Sequence, residues 1–217
     1  MVYEPKVTQQ EIEDNHKFFE ERQRYYREKG LDFHKNRQFI LEKTGRLNGR
    51  ILEIGSGKGK TAVFLTRSGY DIVSVDTNEE MLKMAALNLA YENLLQKAEL
   101  HVMDAYSLAF KDKSFNNVIM IEALHHIEDI NGLFSELDRV LKDKGTLVLS
   151  DFNEKGMEII DESHRQDGGV HENVHEDSFR GKEAANKWMH EKGYSIKSYE
   201  DSCHWVLVAK KQNKGRD

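Results

Sequence analysis

A β-prone run, Arg50-Ile51-Leu52-Glu53-Ile54, is followed at once by glycines at alternate positions, Gly55, Gly57 and Gly59, and then by a stretch of helical character from Lys60 to Gly69. Glycines between a strand and a helix let the backbone turn tightly, approach a ligand and aim amide donors at it. Strand, tight turn, helix is the minimal reading of this segment.

The pattern then recurs. Residues 71–75 read as a strand closing on Asp76, after which Asn78 caps a helix carrying Met81, Leu82, Ala85, Ala86 and Leu89 at helical spacing. Residues 98–103 read as a third strand, and residues 117–121 form a continuous apolar run of the kind a strand buried on both faces requires. A helix with Leu133, Phe134, Leu137, Val140 and Leu141 on one face follows, then a fifth strand at 146–152. Such alternation predicts a parallel sheet with helices on both faces. Upstream, residues 11–42 read as two amphipathic helices broken near Gly30. Downstream, strands at 195–199 and 203–209 joined through Glu200-Asp201-Ser202 must be antiparallel. The expected organisation is a helical cap at 1–45, a core at 46–152 and 182–210, and a lid at 153–181, a segment rich in His and acids and poor in apolar residues.

A length of 217 residues suits one domain of ordinary size. With 32 basic and 38 acidic side chains, a net charge of −6, the chain lacks the basic footprint of a nucleic-acid binder, so nucleic acid is not expected as a partner. The single cysteine, Cys203, permits no internal disulfide, and the polar N-terminal residues lack the pattern of a signal peptide, which together predict the cytoplasm. Mean hydropathy is −0.72 and no apolar run nears the roughly 18 residues a bilayer span needs, so no membrane partner is expected. Oligomeric state is not legible.

Three ligands compete for the glycine turn. A P-loop is suggested by Gly59-Lys60-Thr61 and by the apolar strand ending at Glu122. That signature places four residues between its first glycine and the Gly-Lys pair, whereas Gly55 to Gly59 leaves three. A dinucleotide fingerprint, G-x-G-x-x-G with an acid about twenty residues on, finds its acid in Asp76 but has Lys60 where the third glycine belongs. The third reading takes Glu53-Ile54-Gly55-Ser56-Gly57-Lys58-Gly59 as it stands, with Asp76 closing strand two and Asp104-Ala105 closing strand three.

On those residues, and on VDTNEEML, DAYSLAFKDKSFNNVIMIEALHHIED and LDRVLKDKGTLVLSDF, the chain resembles the class I S-adenosylmethionine-dependent methyltransferases, in the group with a type 11 methyltransferase domain. The resemblance spans roughly residues 49–152. It implies a Rossmann-like, seven-stranded, mostly parallel α/β sheet with an antiparallel last strand. It further implies S-adenosylmethionine held by Glu53, Gly55, Ser56, Gly57 and Gly59, with Asp76 on the ribose diol and Thr77 and Met81 near the adenine. Asp104 and Ala105 would lie at the exocyclic amine, and Glu122 beside the methionine moiety. The family's frequent Asp before strand four is Asn117 here, and its L-K-P-G-G turn is Leu141-Lys142-Asp143-Lys144-Gly145.

The methyl acceptor is less well encoded, because in-line displacement asks mainly for positioning, desolvation and, for some acceptors, a base. No Asp/Asn-Pro-Pro-aromatic signature follows strand four, where the chain reads Glu122-Ala123-Leu124-His125, and the one proline is Pro5. Cys203, on a late strand, reads as a buried thiol rather than a nucleophile. A small molecule is therefore the expected acceptor. His125 and His126 follow strand four at the ligand-binding edge, and one of the two is expected to face the pocket, adjacent residues pointing apart. The lid carries His164, His171 and His175 as further candidates. His171-Glu172-Asn173-Val174-His175 spells the zinc-protease motif, but it lacks the apolar stripe of a packed helix, and no metal is assigned to it. Two rivals remain, a P-loop-like nucleotide enzyme and a non-catalytic cofactor-binding subunit. Phe18, Phe19, Tyr25 and Tyr26 of the N-terminal helices are expected either to close over the pocket or to pack against the sheet.

Overall fold

The computed structural model describes residues 2–166 and 174–212, without the side chains of 164, 166 and 174–180. Two helices, α1 (Gln9–Glu28) and α2 (Phe33–Thr44), precede β1 (Ile51–Ile54), α3 (Lys60–Arg67), β2 (Ile72–Asp76), α4 (Glu79–Tyr91) and β3 (Ala98–Val102). The chain continues through β4 (Phe115–Ile121), a 3₁₀ turn at Leu124–His126, α5 (Ile130–Val140), β5 (Leu141–Phe152), α6 (Glu154–Gln166), α7 (Val174–Glu191), β6 (Tyr194–Glu200) and β7 (His204–Lys211).

Local chemistry sets several of these boundaries. Asp32 caps α2 by accepting from the amides of His34 and Lys35, and Gly45 at φ 75° ends it. Asn78 accepts from Glu80 and Met81 at the start of α4, as the sequence predicts. Asn78→Ala is expected to cost about 1 kcal/mol of stability and to speed amide exchange in the first turn of α4, which hydrogen exchange would detect.

The strand order is β3-β2-β1-β4-β5-β7-β6, with β7 antiparallel to both its neighbours and the other pairings parallel. The order runs outward from β1 in both directions, so a crevice opens at the carboxyl ends of β1 and β4, where open α/β sheets bind ligands. Side-chain alternation along β4 assigns its two faces. Val118 and Met120 pack with Phe134 and Leu137 of α5 and Trp188 of α7. Ile119 and Ile121 share the opposite cluster with Leu65 of α3 and Leu82 and Leu89 of α4.

Two expectations change. Leu141 pairs with Phe115 before a bulge in which Lys144 takes φ 62°, so β5 begins five residues before Thr146. Residues 154–166 are helical, and Met157 and Ile159 are buried with Tyr26, Phe33 and Phe152 in a third cluster. Helical spacing of a few apolar residues among many acids is enough to seat α6 against the N-terminal helices. Cys203 is buried in that cluster, as expected, and burial pushes its thiol pKa up. Among the described residues no helix is long and apolar enough to cross a membrane.

Candidate active site

The glycine turn lies at the crevice. Gly59 takes φ 77° as the N-cap of α3, and a Cβ there would stand 2.8 Å from the Ala85 Cα, so α4 approaches too closely for any side chain. Gly57 differs: at φ 48° it borders a cavity, and a Cβ would meet no atom within 4 Å. Its amide donates to Asp76 Oδ2 at 2.8 Å, while Asp76 Oδ1 accepts from Asn78 at 2.9 Å. The carboxylate at the end of β2 thus braces the turn.

Beneath the turn, Glu53 is buried and accepts from Ser74, whose hydroxyl lies 2.5 Å from that of Ser56. Burial pushes the Glu53 carboxyl up to about 7, against the hydrogen bond from Ser74. Glu53 does not line the cavity. The expected direct contact is replaced by a supporting position, because residue 53 lies inside a strand covered on both faces.

The cavity, about 430 Å³, is roofed by α1 through Phe18, Phe19 and Arg22 and floored by the glycine turn. Tyr26 reaches it while packing edge-on against Phe33 of α2. Tyr25 does not reach it and packs against the third apolar cluster. Gly55, Ser56, Gly57, Met81 and Glu122 line the cavity together. Asp76, Thr77, Asp104 and Ala105 do not, and neither does Gly59. Asp104 starts a turn after β3, accepting from the amides of Tyr106 and Ser107.

Glu122 follows β4 directly, in the left-handed region at φ 55°. It pairs with Arg37 of α2, with Lys60 Nζ at 2.7 Å and with His204 Nε2 at 3.1 Å. Burial works against its ionisation, yet Arg37, Lys60 and His204 together hold it well below the usual carboxylate range. Lys60, its ammonium 3.5 Å from the Phe33 ring centroid, is lowered to about 8 by burial despite Glu122. The lysine that suggested a P-loop therefore serves an internal ion cluster. His204 is also raised above the ordinary histidine value. Burial opposes its charge, but Asp201 and Glu122 outweigh that.

His125 presents a second arrangement. Its Nδ1 lies 2.8 Å and 2.9 Å from the two oxygens of Asp151, and its backbone amide donates to Oδ2 at 2.9 Å. Asp151 is completely buried on β5. Burial disfavours charge on the imidazole, but the carboxylate prevails and the pKa is raised. With Nδ1 committed to Asp151, Nε2 is the nitrogen left to exchange a proton. His126 lines the cavity beside it, ring centroids 4.0 Å apart, contrary to the expectation that only one would. The 3₁₀ turn rotates successive residues by far less than a strand does, so neighbours share a side.

The His164 side chain and His171 lie outside the described residues. His175 is within α7, its side chain likewise outside. Among the described residues no cluster of three or more His, Cys, Asp or Glu could hold a metal. Arg37, His204 and Asp151 were not singled out from the sequence. Arg37 had a signal, since it falls with Phe33 and Ile40 on the buried face of α2.

Residues 52–149 match a family model described as a methyltransferase domain. Over 120 residues the chain is 34% identical to a ubiquinone/menaquinone biosynthesis C-methyltransferase of Rickettsia massiliae, covering 52% of this chain and 48% of that protein. It is 32% identical over 117 residues to the uncharacterized methyltransferase YcgJ of Bacillus subtilis, covering 54% and 46%. The chain thus spans about half the length of the curated relatives it matches. Among solved structures, a candidate S-adenosyl-L-methionine-dependent methyltransferase of Methanococcus maripaludis superposes with TM-score 0.69 at 17% identity, covering 99% of this chain and 100% of that one. Residues 52–149, which hold the glycine turn, are thus similar to a methyltransferase domain, and the strand order is that of a fold shared with the Methanococcus maripaludis structure.

Proposed function

We propose that the protein methylates a small molecule at an atom whose proton His125 removes. The observation that carries this reading is the cavity itself: the open face of Gly57 and His125, held by Asp151, border one cavity of about 430 Å³. The residues fit the cofactor. Gly57 leaves room where a side chain would intrude, the turn offers amides and carbonyls to a zwitterionic amino-acid tail, and Asp76 stands at the end of β2 for a ribose diol.

In this reading Gly55, Ser56, Gly57 and Gly59 form the methionine-side turn, with Glu53 supporting it from below. Asp76 takes the ribose, Thr77 and Met81 flank the adenine, and Asp104 and Ala105 meet its edge. Glu122 closes the methionine end. When bound, S-adenosylmethionine supplies an electrophilic methyl group, the sulfur–carbon bond breaking with its electron pair on sulfur as the acceptor's lone pair bonds to carbon. His125 Nε2 accepts the acceptor's proton, Asp151 holds the imidazole in place, and His126 walls the acceptor side. Residues 1–45 act as the cap, 46–152 and 182–210 as the core, and 153–181, with His164 and His171, as the acceptor-side segment. The single, buried thiol suits work in the cytoplasm.

Calorimetric titration with S-adenosylmethionine, S-adenosylhomocysteine and Mg·ATP tests the reading. Micromolar binding of both adenosyl ligands and none of ATP is the expected result, and the reverse pattern would overturn it. Asp76→Ala is expected to weaken S-adenosylhomocysteine binding about ten- to hundred-fold, since it removes both the ribose acceptor and the brace on Gly57. Unchanged affinity would remove Asp76 from the site.

A further inference from the structure

We propose that Asn88 is a positioning residue that holds the glycine turn in its cofactor-receiving shape and ties that turn to the roof helix α1; the inference rests on the methyltransferase reading above.

The need for such a residue lies in the turn. Lys58 sits between two glycines in the left-handed region, Gly57 at φ 48° and Gly59 at φ 77°. Neither glycine has a Cβ to resist rotation of the peptides between them, so partners must fix their orientation. Asp76 holds the Gly57 amide, and the Gly59 amide donates to the Ser56 carbonyl at 2.8 Å. The Lys58 carbonyl accepts from Asn88 Nδ2, also at 2.8 Å. The Lys58–Gly59 peptide is thereby fixed at its oxygen by Asn88 and at its nitrogen by Ser56. Asn88 reaches the turn because Gly59 lets α4 come close: Ala85 Cα lies 2.8 Å from where a Cβ on Gly59 would stand. Residues 85 and 88, three apart, share that face of the helix. Asn88 is buried and does not line the cavity, so it supports the turn from behind.

The other end of the same amide faces α1. Asn88 Oδ1 accepts from Asn15 Nδ2 at 2.8 Å, and Asn15 lines the cavity beside Phe18 and Phe19. Only Tyr26, near the end of α1, is buried, so the first half of that helix depends on its contacts with α4. These are Glu11 with Lys83 at 2.6 Å, His16 stacked on Tyr91 with centroids 3.4 Å apart, and Asn15 with Asn88. An amide suits the junction, offering a donor to the floor of the cavity and an acceptor to its roof. The two bonds polarise each other in series. A ligand that binds the shaped turn therefore also favours the seated helix.

Calorimetric titration with S-adenosylhomocysteine across a double-mutant cycle tests this, with native protein, Asn15→Ala, Asn88→Ala and the double variant. Asn88→Ala is expected to weaken binding about ten-fold and Asn15→Ala about three-fold. The double variant should lose no more than Asn88→Ala alone, because Asn15 acts through Asn88. Losses that multiply to about thirty-fold would overturn the proposal, as would an affinity within about two-fold of native in Asn88→Ala. Asn88→Asp carries the test if the alanine variant fails to fold, since it keeps the size and the acceptor towards Asn15 but removes the donor to Lys58. There the ligand should bind about ten-fold more weakly while amide exchange along α1 stays native, and native affinity would overturn the proposal. Failure of S-adenosylhomocysteine to bind the native protein would instead overturn the methyltransferase reading.

Discussion

Glu122→Gln is expected to lower folding stability by about 3–5 kcal/mol, the range for removing one partner of a buried ion pair. Arg37, 3% exposed at its side chain, and the buried His204 would lose their common counter-ion, and Lys60 would lose its neighbour at 2.7 Å. Glutamine keeps the shape and one acceptor, so the loss reports charge rather than packing. Urea unfolding at neutral pH measures it. A change under about 1 kcal/mol would mean that water or relaxation compensates the cluster.

The pH dependence follows with a definite sign. The folded pKa of Glu122 lies well below 4.5. Its contribution is therefore full above the unfolded value and is lost as pH falls through that value towards the folded one. The stability gap between the native protein and Glu122→Gln should narrow on acidification below 4.5. A gap that widened there would place the shift on another group.

The second large effect is at His125. His125→Gln is expected to reduce the turnover of methyl transfer by about a hundred- to ten-thousand-fold, the usual contribution of a positioned base, while S-adenosylhomocysteine binding is retained. In the native protein the rate should rise with pH through the His125 pKa, which stands above the ordinary 6.5. Asp151→Asn separates positioning from base strength. Removing the charge leaves the burial of the imidazole in place, so the pKa should fall below the ordinary value and the acid limb of the rate profile should move to lower pH, with a reduced plateau. NMR titration of the imidazole reads the same shift without turnover. An unmoved His125 pKa in Asp151→Asn would show that the carboxylate does not control the base.

Much of the core was readable because its signals are local. The apolar run at 117–121 announced a strand buried on both faces, and β4 is that strand, lengthened at its start by Phe115 and Asn116. Asn78 signalled the start of α4, and the glycine turn signalled a link in which α4 passes within a methyl group's reach of Gly59. Where reading failed, composition misled. Acids and histidines hid a packed helix at 154–166, in which Met157 and Ile160, three positions apart, lie against the third apolar cluster. Glu53 matched a motif, but occupying a central strand puts it under the turn instead of in the cavity.

The sequence by itself determined the alternation of strands and helices, the turn at Gly55–Gly59, the acid closing β2 and the histidines beyond β4, since each depends on residue period, backbone freedom or a cap a few positions away. Only the tertiary structure decided that Arg37, Lys60, His204 and Glu122 form one ion cluster and that Asp151 holds His125. Their partners come from α2, α3, β4, β5 and β7, and a charged side chain carries no local mark of whether long-range packing will expose it to water or bury it against an opposite charge.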